Sequence, residues 1–160
     1  MRHLAIITLL VALLSGCTIG RPLNGPGYNQ RLKALTGDPE RVVVVAITHA
    51  ELDRSHRRPF DKKSQEIYKS LESYPGYIAG SIRLRLLGEH VWTYSIWENE
   101  NDLKNFINSK QHMGAIYSTD KAIKRMRSIQ VKMPAGKVPI QWKEIEKIIS
   151  TQEMHKYTHY

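Results

Sequence analysis

The chain has 160 residues, a formal charge of +9 and a single cysteine. That length suits one domain with flexible ends, and one cysteine excludes a disulfide within the chain and a thiolate metal cluster. No segment concentrates Arg and Lys into a recognition motif, so nucleic acid is not the partner that this charge implies; an anionic surface or an acidic small molecule is.

The first residues read as a targeting segment. Arg2 and His3 precede the apolar run Leu4 to Leu14, which is too short for a membrane span of ~20 residues. Leu14, Ser15, Gly16 and Cys17 resemble the lipobox of a bacterial lipoprotein signal. The resemblance implies removal of residues 1–16, lipidation of Cys17 and anchoring to the membrane through that lipid. Removal takes away one basic residue, Arg2, and leaves +8. Thr18 stands where the inner-membrane retention signal has Asp, which implies the periplasmic face of the outer membrane in a Gram-negative cell envelope. Residues 17–40 hold three Pro and four Gly without a sustained apolar period, so they are expected to form the lipidated Cys and a flexible tether, with one short turn near Leu32 to Leu35.

The folded unit is expected over residues 41–149. It opens with Arg41 to His49, whose continuous β-branched run has the signature of a central strand. Phe60, Ser64, Ile67, Leu71 and Tyr74 then recur at spacings of four and three, on one stripe of a helix started at Pro59 and stopped by Tyr74 to Gly76. From Tyr77 to Leu87 the period becomes two, with Ile78, Gly80, Ile82, Leu84 and Leu86 on one face. Ala79, Ser81, Arg83 and Arg85 fall on the other. The link Gly88 to His90 is short enough for a hairpin into Val91 to Trp97. Asn99 is placed to cap a helix with Asp102 at its third position; Leu103, Phe106 and Ile107 form its inward stripe, and the helix runs on through Asn108 to Gly114. A further helical piece is expected over Asp120 to Met126, a strand over Ser128 to Met133, and an amphipathic helix over Trp142 to Ile149. Residues 150–160 read as a flexible tail.

Strand, helix, strand, strand, helix, strand is the ferredoxin-like order: an α+β fold with a four-stranded antiparallel sheet and helices on one face. Both faces of the third strand carry Trp, so the open face of the sheet needs cover. Two arrangements supply it: a homodimer joined sheet to sheet, or the C-terminal segment folding back over its own sheet.

Residues 41 to 133 resemble the dimeric α+β barrel superfamily that includes antibiotic-biosynthesis monooxygenases and haem-degrading enzymes. The resemblance lies in Tyr74 to Leu84, in Val91 to His112 and in the order of elements. For the cofactor-free monooxygenases it implies a pocket between sheet and helices for an aromatic or polyketide-like ligand, lined here by Trp97, Phe106 and Tyr117. It gives His112 the catalytic place, as proton acceptor or holder of a substrate oxygen. Packing readings stand beside these: Trp97 as filler of the sheet-helix junction, and His112 as a helix-terminal imidazole. In the haem-degrading branch a Trp and an iron-ligating His occupy positions that fall on Phe106 and Ile116, with His112 four residues too early, so neither cofactor nor metal is expected.

Arg83 and Arg85 are candidates for binding an anion. His49 with Glu51, His56 beside Arg57 and Arg58, and His155 with His159 are further clusters too sparse to define a metal sphere. No complete catalytic constellation emerges. The two functions to separate are a monooxygenase-like, small-molecule-binding envelope lipoprotein and a non-enzymatic lipoprotein that binds a protein partner or an anionic surface.

Overall fold

The computed structural model describes residues 18–85, 89–139 and 141–156; the expected signal segment and Cys17 lie outside them. The strands among the described residues are β1 (Thr18–Gly20), β2 (Tyr28–Asn29), β3 (Ala34–Leu35), β4 (Val42–Leu52), β5 (Tyr77–Arg85), β6 (His90–Trp97), β7 (Ile123–Pro134) and β8 (His155–Lys156). The α-helices among the described residues are α1 (Arg57–Ser70), α2 (Glu100–Ile107), α3 (Lys110–Thr119) and α4 (Trp142–Ile149).

The ferredoxin-like core is present. β5, β6, β4 and β7 pair in that order, every neighbour antiparallel. β5 and β6 form the expected hairpin, with Leu84 opposite Val91. The sheet extends beyond four strands, because β1 adds to the free edge of β5 and β8 to that of β7.

Both faces of the sheet are covered, which explains why Val42 to Ile47 is a nearly continuous apolar run rather than an alternating one. Val44, Leu71, Trp97, Leu103 and Phe106 pack on the face carrying α1 and α2. Val43, Val45, Ile47, Tyr94 and Ile96 face the other way and pack against Ile145 and Ile149 of α4, both essentially without solvent contact. Thus the chain's own C-terminal helix fills the outer face, the second of the two arrangements expected. The helices are accordingly not confined to one face.

The stretch expected to be a tether is stitched to the domain from Thr18 onward. β1 pairs with β5, β2 and β3 form a small hairpin, and Leu23 is buried against the outer face with Tyr28 and Leu35 beside it. The unpaired edge of β5 supplies hydrogen bonds that a segment without apolar period can still use. Likewise residues 151–156 are not a loose tail. β8 pairs with β7, and Arg127 and Arg125 donate to the carbonyls of Gln152 and Met154 at 3.1 and 3.3 Å.

Three local differences have identifiable causes. The β5–β6 register shifts between Tyr77 and Ala79, so Ile78 packs on the outer face while Ile82 and Leu84 stay on the inner one. The helix expected to continue to Gly114 stops at Ile107, because the Ser109 hydroxyl accepts the His112 N–H at 3.2 Å and caps a second helix, α3. The helical piece expected at Asp120 to Met126 is one 3-10 turn, Asp120–Ala122; β7 starts at Ile123 because β4 offers pairing partners along its full length. The cap at Asn99 forms as expected: its Oδ1 accepts the Asp102 N–H at 3.0 Å and its Nδ2 donates to the Asp102 carboxylate at 2.7 Å. Gly76 turns the chain into β5 at φ +71, and a Cβ there would run into that same carboxylate.

Candidate functional site

The inner face of the sheet is not filled at its middle. Thr48 on β4 and Thr93 on β6 are register partners there, and Thr93 remains exposed although it lies on an interior strand. Between them and the helices α1 and α3, which pack against each other above the sheet, lies an open cavity of about 280 Å³. Ala50, Ile82 and Val91 line it from the sheet, Phe60 and Ile67 from α1, and Ile116 from α3. The polar groups on its lining include Thr48, Thr93, Ser64, His112 and Thr119, together with Lys63, which is ion-paired to Glu66 at 2.7 Å. A mostly apolar concavity with few polar groups is the usual form of a small-molecule site.

His112 reaches this cavity through the Ser109 cap, which sets it in the first turn of α3. Its Nδ1 lies 2.9 Å from the Ile107 carbonyl oxygen. A carbonyl only accepts, so Nδ1 carries a proton and, in the neutral ring, Nε2 keeps its lone pair. Burial holds the pKa of His112 below the ordinary histidine value, against an opposing contribution from the Ile107 hydrogen bond. The imidazole at the cavity is therefore neutral at pH 7, with one nitrogen able to accept a proton or a hydrogen bond. The Phe106 ring fixes its plane from one side, at 4.6 Å between centroids.

The other residues expected to line a pocket are placed elsewhere. Trp97 has no solvent contact; it packs against Tyr77 and Phe106, and its indole N–H donates to Ser95 Oγ at 3.0 Å. Phe106 is buried with it and supports His112 without lining the cavity. Tyr117 is 57% exposed and borders a separate depression with His56, Pro59 and Asp120. These aromatics follow the apolar stripe of their elements into the packed layer, while the cavity opens nearer the middle of the sheet. Sequence reasoning missed Thr48 and Thr93. Their signal was available: Thr93 and Ser95 put two small polar side chains in succession on the inward face between Val91 and Trp97.

Arg83 and Arg85 lie on the outer face and part company there. Arg83 donates to Glu146 Oε1 and to Thr18 Oγ1, each at 2.6 Å, and its guanidinium sits 5.8 Å from the Trp142 ring centre. Both of its terminal nitrogens are thus engaged. Arg85 has no ion pair among the described residues, and its buried Nε has no hydrogen-bond partner there. Among the described residues no group of three or more His, Cys, Asp or Glu could hold a metal ion. No helix among them is long and apolar enough to cross a membrane.

No protein-family model matches the chain. No curated protein matches it in sequence. Solved structures do match its fold. A proposed antibiotic biosynthesis monooxygenase from Nitrosomonas europaea superposes with a TM-score of 0.52 at 13% identity, over 67% of this chain and 100% of that one. One from Chloroflexus aurantiacus gives 0.51 at 15% identity, over 62% and 99%. A Pseudomonas aeruginosa protein gives 0.54 at 9% identity, over 60% and 98%. At such identities the likeness shows the ferredoxin-like α+β fold and leaves the reaction to be argued from the site.

Proposed function

We propose that the chain is an envelope lipoprotein, anchored through Cys17, whose domain binds a small and mainly apolar molecule in the cavity between sheet and helices. The observation that carries this reading is the open cavity of about 280 Å³ with the neutral imidazole of His112 on its lining. That volume lies near the lower end of the range for ligand pockets, roughly 300–1,000 Å³, and suits an aromatic or compact polyketide-like ring system. The cavity's apolar surface supplies affinity, and the few hydroxyls with His112 orient a ligand oxygen.

The reaction that fits is oxidation without a resident cofactor, in which His112 takes the proton of an acidic ligand hydroxyl as the ring becomes electron-rich toward dioxygen. The support is the Nε2 lone pair held ready by the Nδ1 hydrogen bond to Ile107. Homodimerisation is part of the proposal. With α4 filling the outer face, self-association that leaves the fold intact uses another surface.

Mass spectrometry of ligands retained by the purified chain from a metabolite extract tests the binding step. A retained aromatic compound, displaced when Thr93→Trp fills the cavity, is expected. His112→Ala should leave some binding and lower any turnover by about 10²–10⁴-fold, the usual contribution of a positioned acid or base. Retention untouched by Thr93→Trp would remove the cavity from consideration.

A further inference from the structure

The outer face also carries a histidine pair that the cavity does not use. His49 on β4 sits opposite Trp92 on one side and Arg127 on the other; its ring stacks on the Trp92 indole at 4.5 Å and 8°. Only 6% of His49 is exposed. Two contacts set its proton. Arg127 Nε–H, which can only donate, lies 3.2 Å from His49 Nδ1, so that nitrogen accepts. The proton of the neutral ring is then on Nε2, 3.1 Å from His90 Nδ1, which must accept in turn. Its own proton is consequently on Nε2. The chain Arg127 to His49 to His90 thus leaves His90 as an N–H donor at the half-buried end of the relay.

Arg85 lies one residue beyond the Leu84–Val91 pair, on the strand neighbouring that of His90. Burial first, then Arg127, His90 and last Arg85 push the pKa of His49 down to about 4, and burial followed by Arg85 lowers that of His90, so Arg85 is close enough to bias both imidazoles. Acidic groups are near, yet none forms an ion pair with Arg85 among the described residues. Glu51 faces His90 across the strands, and Glu89 is held by Arg54 and Lys124 at 3.4 Å each. Two other cations of this face have partners: Arg83 has Glu146, and Arg125 has the Met154 carbonyl. A guanidinium with a buried, orphaned Nε beside a forced imidazole donor lacks an acceptor, and a charged oxygen supplies one.

We propose that Arg85 and His90 form a binding site for a phosphate-type oxyanion on the outer face of the sheet, with Arg127 and His49 as positioning residues that hold His90 in its donor tautomer. The site is separate from the cavity and does not depend on what the cavity binds. Two sources present this chemistry. Thr18, the residue after Cys17, pairs with Arg85, so the site lies beside the point where a lipid anchor would leave the domain, within reach of phospholipid headgroups. A free phosphate or phosphate ester is the other.

The test follows the imidazole nitrogens of the full chain in nonionic detergent by long-range proton–nitrogen NMR. Inorganic phosphate is titrated first, then micelles doped with phosphatidylglycerol, with phosphatidylcholine micelles as the neutral reference. Saturable movement of the His90 signals with phosphate assigns a soluble ligand; movement only with phosphatidylglycerol assigns a headgroup. In either case Arg85→Gln should weaken binding about tenfold, the scale of one charge-assisted hydrogen bond. Arg85→Lys, which keeps the charge without the planar fork, should fall between and serves if the glutamine variant does not fold. Arg127→Gln should shift His90 toward mixed tautomers, a nitrogen signature that loss of packing alone would not produce. No saturable movement with either anion, or an equal loss on replacing the distant, exposed Lys69 by Gln, would overturn the proposal.

Discussion

His49 shows how a buried side chain makes its own pH dependence. Its pKa falls from 6.5 to about 4 through burial, Arg127, His90 and Arg85, so the folded protein refuses a proton that the unfolded chain accepts between those values. A depressed histidine adds no pH dependence above 6.5 and costs stability as pH falls from 6.5 toward 4, after which its contribution levels off. His90 and His112, also lowered, act in the same direction. Urea unfolding at pH 7 and pH 4.5 should therefore show a loss on the order of 2–3 kcal/mol from His49, reduced in His49→Gln. Equal stability at both pH values would show that the imidazole is not held neutral. Trp97 makes a different point: with no solvent contact, Trp97→Ala should cost about 3–5 kcal/mol, whereas Tyr117→Ala at the exposed site should change thermal stability by less than about 0.5 kcal/mol. Both were read from sequence as ligand contacts. His112, read from sequence as the catalytic group, lines the sheet-helix cavity, but an aromatic side chain looks the same in sequence whether it fills a core or lines a pocket.

Elements were legible where one local signal decided them. The β-branched run of β4, the hairpin between β5 and β6, the Asn99 cap and the amphipathic α4 all follow from pattern and capping chemistry. Where a tertiary partner decided, the pattern misled. The bulge at Tyr77–Ala79 turns Ile78 outward, and β7 is drawn out to Ile123 by pairing with β4. Ser109 looked like one more polar residue within a helix, yet its hydroxyl divides the helix and orients His112. Ser109→Ala should cost about 1 kcal/mol and, more tellingly, should alter ligand retention without touching the cavity wall. An unchanged His112 environment in that variant would separate the cap from the site. α4 carries a heavier consequence. Ile149→Asp would place a carboxylate in a fully buried position against Val43, Val45 and Ile47, detach the helix and expose an apolar sheet face. Sedimentation should then show association beyond that of the unaltered chain; a variant that behaves like the unaltered chain would mean that α4 is not the cover.

At the scale of the molecule, the ferredoxin-like order was visible because alternating and 3.6-residue periods switch cleanly along residues 41–133. The cavity was not, since it is a space between the sheet and two helices, and no single element encodes such a space. The N-terminal segment escaped for a related reason: residues 18–35 attach through backbone pairing and a few apolar side chains, which leave little periodic trace. Their docking shortens any distance between a lipid at Cys17 and the sheet, so the domain would ride close to the membrane with the β1–β5 edge near it. The central claim, however, concerns the space under α1 and α3. It is tested most directly by isolating the chain from cells or after exposure to a metabolite extract and weighing the intact complex by native mass spectrometry, beside Thr93→Trp treated identically. The unaltered chain should carry a bound small molecule that the variant has lost. A chain that carries nothing, or a variant that carries the same mass, would contradict that claim.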